Sequence, residues 1–201
     1  LSDQLEVELR SVELGQALAH AFEHRPELVA LRKTEILRDE EIKSARAGYL
    51  PSVEVFAGHG WRSATFRNDL AADIEGWNAG AQLNWNLFDG MVTVGKVKEA
   101  EARRRSAQYA LEDTTRRVEL EVRTAHSSLV EAGEVLRSQQ KAQEQAEEAH
   151  RLANARAEAG AGIQLDVLSA RTALTQARTT EVQARRDYLV ALARLERSMG
   201  L

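Results

Sequence analysis

Residues 76–90 read GWNAGAQLNWNLFDG. In an extended chain, successive side chains point to opposite sides. Trp77, Ala79, Ala81, Leu83, Trp85 and Leu87 then share one face, and Asn78, Gly80, Gln82, Asn84 and Asn86 share the other. The first face is apolar; the second is uncharged but hydrophilic. At ~3.3 Å per residue the two tryptophans lie about 26 Å apart along a strand, or about 20 Å across a membrane at a tilt near 40°. That matches the apolar band of a transmembrane β-barrel with an aromatic residue at each water boundary. The alternative is a hairpin that lays its apolar face on a helix in water. The amides and glycine on the second face favour the barrel, because they suit a water-filled lumen.

Working outward, residues 52–62 alternate in the same way. Val53, Val55, Ala57, His59 and Trp61 take the odd positions, and Ser52, Glu54, Gly58, Gly60 and Arg62 the even ones, with Phe56 the exception. Pro51 favours extended geometry at Leu50 and so opens the first strand. Residues 63–76 have no period and read as a loop, so the spacing predicts a hairpin with strands over 52–62 and 77–87.

Everything else reads as helix. Charged residues make up 29% of the 201-residue chain and there are only 2 prolines, a composition of long helices rather than of one round core. A short amphipathic helix is expected over 12–22, a second from Pro26 to the GYLP at 48–51, a long one over 96–159 and a last one over 164–198. A heptad register starting at Val97 is apolar at 12 of 17 a/d positions, and 8 of these are alanine, so the long helix is expected to pack closely rather than over a thick leucine core. The register Val167, Ala170, Leu174, Ala177, Glu181, Ala184, Tyr188, Ala191, Leu195, Ser198 runs along the last helix. Gly160 and Gly162 are expected to end the long helix and turn the chain into an antiparallel helical hairpin. At ~1.5 Å per residue the long helix is about 95 Å, close to the last helix (~52 Å) and the second (~34 Å) laid end to end. A stave of this kind with one hairpin has open sheet edges, which lipid does not tolerate, so several copies are expected.

Several classes of function drop out. Net charge is −4, and the arginines at 103–105, 116–117 and 185–186 alternate with acids, so they read as solvated helix faces and not as a nucleic-acid footprint. With 0 cysteines there is no disulfide framework, thiolate metal site or thiol nucleophile. No apolar run reaches the ~18 residues of a membrane-crossing helix. Leu1-Ser2-Asp3 opens no charged and then apolar leader, as in a mature or excised piece or a chain that is not exported. His20 and His24 flank Glu23 on one helix, but HAFEH departs from the zinc-protease pattern, and His59, His126 and His150 are isolated. GHG at 58–60 lies within a strand and is no phosphate loop. No serine sits in a nucleophile elbow. No catalytic residue, metal or cofactor is expected.

RPELVALR at 25–32, IKSARAGYLPSVEV at 42–55, W-x-x-G-x-x-L-x-W-x-L-F-D-G at 77–90, GKVKEAEARR at 95–104, AGAGIQLDVLSARTALTQA at 159–177 and DYLVALARLE at 187–196 together resemble the TolC family of outer-membrane efflux proteins. These are the exit ducts of tripartite drug pumps and type I secretion systems. The resemblance covers nearly the whole chain and implies a β-barrel in the outer membrane of a Gram-negative bacterium, continued by an α-helical barrel in the periplasm. Family chains carry two such repeats and form trimers. The single repeat here is most like the second, so the assembly is either a trimer of longer chains or six copies of this one.

The resemblance also implies roles. Residues 1–50 would supply short helices of the helical barrel, 51–90 the transmembrane hairpin and 91–201 the long periplasmic hairpin. Trp61, Trp77 and Trp85 would form the membrane aromatic girdle. Gly160, Gly162, Ile163, Leu165 and Leu168 would form the tip that meets a periplasmic adapter protein, itself coupled to an inner-membrane pump. Asp166 matches an aspartate at the closed periplasmic entrance; equally, it is a carboxylate in a first helical turn, where an acid is favourable. Ser169 stands where a second gate aspartate would be, and Gly162 replaces an arginine latch. The expected function is passive conduction of drugs or secreted polypeptides. The alternative is a periplasmic coiled-coil adapter or scaffold with no channel.

Overall fold

The computed structural model describes Arg10, residues 12–62 and residues 74–201; in the strands, the side chains of residues 61, 62, 74 and 75 are not described. The chain divides into two units, one formed by residues up to Arg32 with Ala110–Leu201, the other Lys33–Tyr109.

In the first unit, helix α1 (Leu14–His24) is followed directly by α2 (Pro26–Arg46), with Arg25 extended between them at ψ 120°. Proline suits the first turn of a helix, where its missing N–H has no partner to lose. Helix α3 (Val92–Glu158) and helix α4 (Gln164–Met199) form the predicted helical hairpin. The core joins Ala17 and Ala21 of α1, Leu28 of α2, Val118, Val122, Leu129 and Leu136 of α3, and Ala184, Tyr188 and Leu195 of α4. All ten positions of the α4 register are buried or half-buried. Glu181, which sits in that seam, is buried with its carboxylate 2.7 Å from Arg185 Nε, one turn along the same helix.

The register read for α3 holds in full only for its first third. Thr93, Val97, Ala100, Arg104, Ala107 and Leu111 are buried or half-buried, but from there the seam runs through Thr115, Val118, Val122, Ala125, Leu129, Ala132 and Leu136, while Glu121, Ser128 and Val135 are exposed. An extra residue of phase enters near Leu111, where consecutive four-residue steps replace the alternation of three and four, an eleven-residue repeat inserted among heptads. Beyond it the seam carries valine and leucine, so the core of this unit is thicker than an alanine stripe would give.

Arg25 closes the end of α4. Its guanidinium donates to the Ser198 carbonyl at 3.2 Å and pairs with Glu121 and with Glu27. Gly200, at φ 87°, stops the helix with its N–H on the Arg197 carbonyl, while the Leu201 N–H reaches the Glu196 carbonyl. A left-handed glycine with this pair of bonds satisfies carbonyls that the helix leaves open.

In the second unit, the later turns of α2 lie along the early turns of α3, with Ile42 and Ala100 buried. Arg104 pairs with Asp39 at 2.5 Å and Gln108 donates to Glu35 at 3.0 Å. After a 3-10 turn at Ala47–Tyr49 come β1 (Ser52–Arg62) and β2 (Ile74–Asn84), paired antiparallel from Ser52↔Asn84 to Arg62↔Ile74. The second strand is therefore displaced from the predicted 77–87. Ile74–Gly76, read as loop, belong to it, whereas Trp85 and Leu87 lie beyond it. The strand ends at Asn84 because the chain bends there into the turn ahead of α3, and the Trp85 indole N–H is taken by the Tyr49 carbonyl at 3.2 Å. The rest of the predicted loop, 63–73, lies outside the described residues.

Candidate functional site

Cross-strand partners share a face of the sheet. Val53 faces Leu83, Val55 faces Ala81, Ala57 faces Ala79 and His59 faces Trp77, giving one apolar face from a valine–leucine base to an aromatic pair whose ring centroids are 4.8 Å apart. The other face sets Ser52 against Asn84, Glu54 against Gln82 and Gly58 against Asn78. Phe56, the exception in the alternation, lies here, and its pairing with Gly80 accounts for it. A Cβ on Gly80 would stand 2.6 Å from Phe56 Cζ, so the end of the ring occupies the space over the glycine that a side chain would need. Neither face is covered: Val55 is 77% exposed and Trp77 81%. Trp61 is opposite Glu75 in β1. Sequence reasoning did not single out His59 as the ring beside Trp77, although its place in the odd-numbered series was the available signal.

The foot of the hairpin is a built corner. Gly90 and Met91 both take positive φ, 67° and 68°, and the Asp89 carboxylate accepts from the Thr93 backbone N–H at 2.7 Å and from its hydroxyl. Thr93 is buried against Gly48, where a Cβ would lie 2.9 Å from the threonine hydroxyl oxygen. The L-F-D-G stretch thus caps α3 and clips it to the turn that ends α2. Asp89→Ala, which removes the acceptor, should cost the Thr93 amide its protection in hydrogen exchange, whereas Asp89→Asn, which can still accept, should not.

At the other end of α3 the Gly160 N–H bonds the Ala157 carbonyl (3.0 Å) and the Ala161 N–H the Arg156 carbonyl (2.9 Å), with Gly160 at φ 72°. This is the motif found at Gly200. Gly162 serves differently: its φ is not positive, but a Cβ there would sit 3.1 Å from the Ala157 nitrogen. Ile163, Leu165 and Leu168 are all exposed around the tip. Asp166, in the first turn of α4, donates its N–H to the Ile163 carbonyl and lines a hollow with Ala149, Leu152, Ala153, Arg156 and Gly162. Ser169 is exposed and is not among the residues lining it. Arg156, which sequence reasoning passed over, brings a cation to the hollow of Asp166, six residues before Gly162, the glycine that replaces the latch arginine. His20 and His24 stack at 4.0 Å, each Nδ1 on a backbone carbonyl, those of Met199 and His20.

Residues 17–201 match the model of the outer membrane efflux protein family. The chain belongs to that family. Membership in the outer membrane efflux proteins places it in the Gram-negative outer membrane, extending into the periplasm. The family is one of channel proteins, not enzymes, and its members form oligomers that act with adapter proteins and pumps. Among curated relatives, the alkaline protease secretion protein AprF of Pseudomonas aeruginosa is 28% identical over 181 residues, 90% of this chain and 38% of its own. The outer membrane protein TolC of Vibrio cholerae is 27% identical over 197 residues, 95% of this chain and 44% of its own. The open state of the Neisseria gonorrhoeae MtrE outer membrane channel superposes with TM-score 0.73 over 96% of this chain and 43% of that one; at 20% identity this shows the fold. The chain spans less than half the length of these efflux-family relatives.

Proposed function

We propose that this chain is the wall-forming repeat of an outer-membrane duct that passively conducts drugs or secreted polypeptides, delivered by an inner-membrane pump through a periplasmic adapter, to the exterior. The observation that carries this is the hairpin. One face is apolar from Val53 to Trp77, the other is built of amides, a hydroxyl, glycines and Glu54 with the single ring of Phe56 at Gly80, and both are open. In water such a sheet leaves large apolar area exposed at ~25 cal/mol per Å². In a closed barrel the same area meets lipid and the polar face meets the lumen. Residues 51–90 are the membrane part, residues 1–50 short barrel helices and 91–201 the periplasmic hairpin. Trp61 and Trp77 serve the outer boundary of the aromatic girdle and Trp85 the inner.

Conduction needs no reacting group, and the assignment names no catalytic residue and no cofactor. At the tip, exposed Ile163, Leu165 and Leu168, presented between Gly160, Gly162 and α4, supply an apolar knuckle for the adapter. Asp166, with Ser169 one turn on, lies where a cation-selective periplasmic gate belongs, and Arg156 in the same hollow offers the partner that position 162 lacks. The hairpin also disfavours the other reading, a periplasmic coiled-coil scaffold, since Val55 and Trp77 stay exposed and no apolar side chain among the described residues covers them.

Particle mass measured with and without mild detergent tests this. A trimer of longer chains, or six copies of this one, stable only in detergent, is the expected result. A monomer or dimer indifferent to detergent would sink the duct.

A further inference from the structure

The corner at the foot of the hairpin carries more than a cap. Leu87 and Phe88 are each 81% exposed, Met91 66% and Val92 53%. They project from a turn held rigid by Asp89 and Thr93, and Met91 is the one non-glycine residue at positive φ among the described residues. A side chain disfavours that conformation, and glycine would relieve it. A strained residue held in place by its surroundings is a pointer to function. One turn into α3, Lys96 and Lys98 are exposed, and among the described residues neither forms an ion pair.

An apolar crest with two ammonium groups beside it that form no ion pair among the described residues, next to a strand whose apolar face ends at Leu83, fits one kind of surface. We propose that Leu87, Phe88, Met91 and Val92 seat in the membrane–water interface at the periplasmic leaflet, with Lys96 and Lys98 meeting the phosphates of anionic phospholipid. The proposal rests on the reading of the hairpin as the membrane part. Lipid, not a second copy of the chain, is the occupant, because phosphates give the two lysines the ion pairs they do not make among the described residues, and surface lysines are drawn to anionic lipid over a Debye length. The strain at Met91 then has a use: it aims the crest at lipid while Asp89 keeps the start of α3 in register.

The chain has no cysteine, so a single spin label reports one site. Phe88→Cys and, on the apolar strand face, Val55→Cys are labelled in the assembled protein in vesicles of phosphatidylethanolamine and phosphatidylglycerol. Collisions with oxygen, which concentrates in lipid, are compared with those of a water-soluble nickel chelate. The expected result is a lipid signature at both sites, shallower at 88. Phe88→Cys should shift toward nickel access when phosphatidylglycerol is omitted or when Lys96→Glu and Lys98→Glu are added. A lipid signature at 55 with nickel access at 88 would overturn the anchor and leave the duct standing. Screening from both reagents at 88 would overturn it in favour of a neighbouring copy. An 88 signal unmoved by the lysine changes would remove the phosphate contact. Nickel access at 55 would bring down the duct reading itself, and the anchor with it.

Discussion

Serine at both Trp77 and Trp85 should leave the helices folded and abolish stable insertion into the outer membrane. Each indole offers about 150–250 Å² of burial, so at ~25 cal/mol per Å² the double change removes several kcal/mol of transfer free energy per chain, multiplied by the copies in the barrel. The two sites differ in kind. Trp77 stands on the apolar face beside His59. Trp85 sits past the strand, tied through its indole N–H to the Tyr49 carbonyl, so Trp85→Ser also loosens the corner. Partition of the variant between membrane and soluble fractions, with helix content followed by circular dichroism, gives the measurement. A double variant that inserts as the parent does would contradict the membrane assignment of this hairpin.

Tyr188→Ala should cost about 3–5 kcal/mol, the range for removing a buried aromatic ring and leaving a cavity. Tyr188 is 2% exposed within the seam between α3 and α4, and its hydroxyl accepts the Arg10 backbone N–H at 2.8 Å. Tyr188→Phe keeps the ring and loses only that acceptor, a change of ~1 kcal/mol. The gap between the two variants, read from denaturant midpoints of the helical signal, separates packing from the hydrogen bond. Equal and small losses would mean that the ring is not part of the core.

The same residues show how much was legible from composition and spacing. On α4 the seam was read in full, because tyrosine and leucines mark it and only Glu181 and Ser198 interrupt. On α3 the reading went astray past Leu111. Alanine is apolar by type yet a strong helix former on any face, so alanines off the seam, such as the exposed Ala142 and Ala149, scored for a register that the buried Val122, Leu129 and Leu136 contradict. A constant heptad also has no means of showing an inserted eleven-residue step. In the hairpin, period two found both strands, but alternation continued past Asn84 although pairing did not, since parity carries no information about where a ladder stops. The tip was legible through its glycines. Arg156 was not, because nothing along the sequence tells that the cation opening a Schellman motif will share a hollow with an acid in the first turn of the next helix.

Among the described residues the sheet has two strands, and each has one edge whose N–H and C=O groups pair with nothing in that sheet. Such groups cost several kcal/mol apiece in hydrocarbon. A lone hairpin is therefore barred from the bilayer however apolar one face is, and edges must meet before or as they enter. Insertion kinetics should accordingly be of high order in protein concentration and show a lag on dilution, with the bilayer acting as a proofreader that admits closed rings and rejects incomplete ones.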